Sequence, residues 1–66
     1  MQVYINGKVK EIPDALTLSE LVILLELPAT RIAVEVNRAV VRRVDWEKIL
    51  LANEDRVEIV HFVGGG

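Results

Sequence analysis

The group in this chain best suited to react is its last one. Gly64-Gly65-Gly66 closes the sequence directly after the apolar stretch Val57-Glu58-Ile59-Val60-His61-Phe62-Val63. Glycine gives up the most backbone entropy on ordering and has no side chain to pack. Three of them at a terminus therefore add nothing to a core. What they offer is slimness: without Cβ atoms the last residues can enter a narrow channel and present the terminal carboxylate to another protein. A frayed end is the plain alternative. The functional reading makes the Gly66 carboxylate the reactive group and Gly64 and Gly65 its tether.

A carboxylate is a poor electrophile at neutral pH. Joining it to AMP as a mixed anhydride supplies a leaving group. A sulfur nucleophile that displaces AMP leaves a thiocarboxylate; an amine leaves an isopeptide. The sequence holds no phosphate-cradling G-x-x-x-x-G-K-S/T, and Gly7-Lys8 is explained by a hairpin. Activation is therefore assigned to a separate enzyme. Three extended residues reach roughly 10 Å, enough to enter a cleft while the globular part docks outside it.

Other chemistries find little support. His61 is the single histidine and there is no cysteine, so Cys-based metal sites, disulfides and a cysteine nucleophile are excluded. No H-E-x-x-H or other metal spacing occurs. His61 next to the tail could move a proton, although an exposed strand histidine is the plainer reading. At 66 residues the chain has little room for a small-molecule pocket. Its net charge is −2, with eight basic residues spread among ten acidic ones. A nucleic-acid binder would need a basic stripe instead. Arg38, Arg42 and Arg43 could meet an acidic partner or act only as solvated loop charges. The longest apolar run, Leu21-Val22-Ile23-Leu24-Leu25, is too short to span a bilayer. No secretory signal is visible. A cytoplasmic protein with neither a nucleic-acid nor a membrane partner is expected.

The elements that must position the tail can be read from patterning. Met1, Val3 and Ile5 alternate with Gln2 and Tyr4, as in a half-buried strand. Asn6-Gly7 then signals a type I′ hairpin, with Lys8 to Ile12 as the return strand. Thr17-Leu18-Ser19-Glu20 is a capping box opening a helix from Leu18 to Glu26. Its apolar face is Leu18, Leu21, Val22 and Leu25, and Pro28 ends it. Ile32 to Val36 is a strand, Asn37-Arg38 a turn and Ala39 to Arg42 a short strand. Asp45 to Leu50 is a single helical turn or short 3₁₀ piece capped by Asp45, with Trp46 as packing. Arg56 to Val63 is the final strand. Its residues Val57 and Ile59 face the core, while Glu58, Val60 and Phe62 face away. Val60 and Phe62 then form an exposed apolar patch just ahead of the tail, of the kind that marks a binding site.

This order of elements fits an α+β, β-grasp (ubiquitin-like) fold. A mixed four- to five-stranded sheet carries one main helix on one face and leaves the other open. Residues 1–63 form the domain and 64–66 a flexible tail.

Several segments together are similar to one family. They are Met1-Gln2-Val3-Tyr4-Ile5-Asn6-Gly7, Leu18-Ser19-Glu20-Leu21, Ala33-Val34-Glu35-Val36-Asn37, Val40-Val41, Trp46 and the ending Val57 to Gly66. They resemble the ThiS family, the sulfur carriers of thiamine thiazole synthesis. The resemblance covers the whole chain and is most specific at its end; Arg42 departs from it, standing where many members carry proline. It implies a protein that is not an enzyme and binds no cofactor of its own. Its Gly66 carboxylate would be adenylated by an E1-like, ThiF-like enzyme using ATP and magnesium. Sulfur would come from a cysteine desulfurase system, and the thiocarboxylate would serve a ThiG-like thiazole synthase. The small subunit of molybdopterin synthase (MoaD), a ubiquitin-like modifier and an inert β-grasp interaction module share much of this pattern and stay open as alternatives.

Overall fold

Asn6 and Gly7 sit at φ of 50° and 84°, the pair of left-handed values that a type I′ turn requires. The turn joins β1 (Gln2–Ile5) to β2 (Lys8–Glu11) as an antiparallel hairpin. The computed structural model describes residues 1–62 of the chain. A second hairpin joins β3 (Ile32–Val36) to β4 (Ala39–Val41). Asn37 and Arg38 take φ of 50° and 72° there, so Arg38 bears a conformation that a glycine would adopt without strain. The last strand, β5 (Arg56–His61), enters the middle of the sheet. It pairs parallel with β1 and antiparallel with β3, giving the five-stranded order β2-β1-β5-β3-β4.

The helix α1 (Leu18–Leu24) starts from the expected reciprocal cap. The Glu20 amide donates to Thr17 Oγ1 at 3.1 Å, and the Thr17 amide donates to Glu20 Oε1 at 2.9 Å. The Thr17 amide bonded to Glu20 Oε1, and after it the Thr17 side chain, hold the Glu20 carboxyl below its ordinary pKa. The helix stops two residues before the expected Glu26. Glu26 turns left-handed at φ 56°, its amide donates to Ile23 O, and the Leu27 amide donates to Val22 O. This is a Schellman ending with a non-glycine residue at its left-handed position, and it closes the helix before Pro28 acts.

Alternation delivers Val3, Val57, Ile59, Val34 and Ile32 to one sheet face, where they are buried with Leu18, Leu21 and Val22 of α1. The 3₁₀ segment Arg43–Lys48 extends this cover. Its Trp46 is buried, and the indole N–H donates to Val41 O at 2.9 Å. That satisfies the polar end of a ring whose body fills the core. Asp45 does not cap this segment as expected: Arg42 occupies the cap position and makes no side-chain cap bond. Asp45 lies one turn further in, with its carboxylate 3.7 Å from both Arg42 Nε and Lys48 Nζ. β2 ends at Glu11, one residue short of the expectation, and Ile12 is buried beyond it. β4 likewise ends at Val41 and β5 at His61. The sheet is mixed and, among the described residues, carries one α-helix, packed on one face, which is the β-grasp arrangement.

Candidate functional site

β5 is the element that leads into the glycines, so the geometry of the site is the geometry of this strand. Its two edges are fixed by hydrogen bonds of opposite parity. The Asn37 amide donates to Arg56 O at 2.7 Å and the Phe62 amide to Arg31 O at 2.7 Å. Even-numbered residues of β5 therefore turn their backbone groups toward β3. The Asn6 amide donates to Val57 O at 2.9 Å, so odd-numbered residues turn theirs toward β1.

β1 ends before β5 does, and the Asn6 side chain extends the pairing. Asn6 Oδ1 accepts from the Ile59 amide at 2.7 Å, while Asn6 Nδ2 donates to Ile59 O at 3.2 Å. A single carboxamide thus takes the place of the next strand residue and satisfies both backbone groups of Ile59. The side chain of Ile59, at 8 % exposure, is buried in the core. Asn6 therefore serves two ends: it takes the positive φ of the turn and clamps the strand that leads toward the glycines.

Side chains alternate as expected across this strand. Val57 and Ile59 are buried and Glu58 and Val60 exposed, while His61, paired with Ile32 on the core side, is exposed at the end of the strand. Val60 is 58 % and Phe62 55 % exposed, large values for apolar side chains. Phe62 lies one residue past the end of β5 yet keeps the strand register through its bond to Arg31. The open face is also lined from β3 and β4. Glu35 pairs with Glu58 on one side and with Val40 on the other, so Glu58, Glu35 and Val40 form one row across three strands. Val40 is 72 % exposed. That row was hidden from sequence reasoning, because alternation gives each strand its faces but not its cross-strand register.

Other charged candidates are dispersed. Arg38 is in the β3–β4 turn, Arg42 stands at the N-terminal boundary of the 3₁₀ segment and Arg43 opens it. Arg42 is held near Asp45. The His61 side chain makes no hydrogen bond among the described residues. Among the described residues no three His, Cys, Asp or Glu side chains converge to hold a metal ion. No helix among them is long and apolar enough to cross a membrane. Gly64, Gly65 and Gly66, and Val63 before them, lie outside the described residues.

Comparison with known proteins converges on one family. The sulfur carrier protein ThiS of Bacillus subtilis is 36% identical over 94% of this chain and 96% of its own length. A thiazole synthase of Magnetococcus marinus is 36% identical over the whole of this chain, which spans only 20% of that protein. The crystal structure of the thiamine biosynthesis protein ThiS from Geobacter metallireducens superimposes with a TM-score of 0.88. It is 30% identical, with each chain covered completely. The ThiS family model matches residues 3–66, running from the first strand through the last glycine, and the chain belongs to the ThiS family.

Proposed function

We propose that this protein is a sulfur carrier for thiamine biosynthesis, with the Gly66 carboxylate as the group that is loaded. The observation that carries the reading is the reach of the family match, which includes Gly64, Gly65 and Gly66 as well as the body of the fold. A tail without packing value that is nonetheless part of the matched pattern is best understood as the working end.

The reaction follows from carboxylate chemistry. An E1-like adenylating enzyme transfers AMP from ATP to the Gly66 carboxylate and releases pyrophosphate. A hydrosulfide or persulfide sulfur then attacks the acyl carbon, and AMP leaves with the bonding electrons of the anhydride. A persulfide donor, supplied by a cysteine desulfurase system, gives an acyl disulfide, and a second thiol cleaves its S–S bond to free the thiocarboxylate. The product is a soft nucleophile that thiazole synthase consumes. The Magnetococcus thiazole synthase supports that receiver, because a segment matching this entire chain lies within it. The protein's own part is to dock and to deliver. Val60 and Phe62 form the apolar contact, and Gly64 and Gly65 pass the carboxylate into the partner's channel. The chain acts as a protein co-substrate rather than as an enzyme, in the cytoplasm.

The test is ATP–pyrophosphate exchange by the adenylating enzyme with wild-type protein and with a variant lacking Gly66. Removing one residue withdraws the carboxylate by roughly 3.5 Å and leaves the fold untouched. Exchange should collapse with the shortened chain. Undiminished exchange would show that Gly66 is not the acceptor.

A further inference from the structure

Glu35 and Glu58 stand directly opposite one another on neighbouring strands and project from the same, open face. Like charges at such a position oppose sheet formation. Neither carboxylate has an ion-pair partner among the described residues. Two cations on the same face are directed elsewhere. Arg56, two residues before Glu58 on the same face, lays its guanidinium over the ring of its β1 register partner Tyr4, 4.5 Å from the ring centroid. Arg42, next in register after Val41, is directed to Asp45. Among the described residues the repelling pair is thus left without an ion-pair partner.

Its surroundings say what kind of ligand would compensate it. Val40 flanks Glu35 on β4, and Val60 and Phe62 follow Glu58 along β5. All three apolar side chains are more than half exposed. A hydrated ion gains nothing from them, whereas a protein surface does. We propose that the partner docking on this face presents a basic side chain, arginine or lysine, between Glu35 and Glu58, bordered by apolar residues that cover Val40, Val60 and Phe62. The proposal rests on the carrier reading above, in which the adenylating enzyme is the partner. It adds a charge requirement to an apolar contact: the carboxylate pair steers encounter and fixes register, and the apolar border excludes water.

The experiment uses full-length protein and the E1-like adenylating enzyme of the same organism. Association rate and affinity are measured across a salt series, with thermal unfolding of the free carrier alongside. Glu58→Lys converts the repelling pair into a favourable cross-strand pair, so the free variant should melt at or above the wild-type temperature. Its association rate should nevertheless fall by about tenfold and lose most of its salt dependence. Glu35→Gln with Glu58→Gln should reproduce the loss without introducing a new charge. Wild-type affinity with the double glutamine variant, or affinity that is insensitive to salt from the start, would overturn the charge requirement while leaving the carrier reading intact. Failure of the wild-type protein to bind or to be adenylated would overturn both.

Discussion

Replacing Asn6 with glycine separates the two tasks of this residue. Glycine adopts the positive φ of the turn freely, so the hairpin geometry is retained. The backbone bond from residue 6 to Val57 O is also retained. What disappears is the carboxamide and its two bonds to Ile59, at 2.7 and 3.2 Å. Each such bond contributes about 0.5–1.5 kcal/mol net, so the pair is worth about 2 kcal/mol. For a domain of this size about 4–8 °C of melting temperature corresponds to each kcal/mol, which places the drop at about 8–16 °C. Thermal unfolding followed by circular dichroism reads this directly. Amide exchange at Ile59 should speed up more than exchange at Val34, because the lost partner belongs to the β1-facing edge of β5 alone. A melting temperature equal to wild type, with unchanged protection at Ile59, would refute the view that the Asn6 side chain substitutes for a strand.

Four further outcomes are expected. Phe62→Asp should leave thermal stability almost unchanged, whereas Ile59→Asp should unfold the domain by placing a charge in its core; unfolding by both would make Phe62 a core residue. Glu26→Gly and Arg38→Gly should each raise stability by up to about 1 kcal/mol in urea titrations, since relief of left-handed strain outweighs glycine's extra chain entropy. The depressed Glu20 pKa adds stability that is present above the ordinary carboxylate value and lost as pH falls through the lower folded value. Glu20→Gln, which can still cap, should therefore flatten the acid limb of the stability profile. Gly65→Val should block pyrophosphate exchange, because a β-branched residue stiffens and widens the tether.

Much of this fold is legible locally, and its failures share a cause. Asn6-Gly7 and the Thr17–Glu20 box specify their own geometry within four residues, and both form as expected. Strand alternation correctly separates buried Val57 and Ile59 from exposed Val60 and Phe62. The end of α1 differs from the expectation because Pro28 is a visible stop, whereas a left-handed glutamate gives no signal in composition. Aspartate favours caps, which points to Asp45, but the 3₁₀ segment begins two residues earlier, at Arg43, with Trp46 donating to Val41 O. The Asn6 clamp spans 53 positions in the chain, and the Glu35–Glu58 pairing depends on cross-strand register. Both are tertiary facts that no local pattern encodes. The tail is the opposite case: its reading rests on residue type and position alone, and Gly64, Gly65 and Gly66 lie outside the described residues.

The central claim is that sulfur is carried at the Gly66 carboxyl. Intact-mass and fragment-ion analysis of the protein after incubation with the adenylating enzyme, ATP and a sulfide donor tests it most directly. The account predicts the mass increment of one oxygen replaced by sulfur, confined to the fragment that contains Gly66 and absent when ATP is omitted. An unmodified C-terminus under conditions where the enzyme is active, or a lysine adduct in place of the thiocarboxylate, would contradict it.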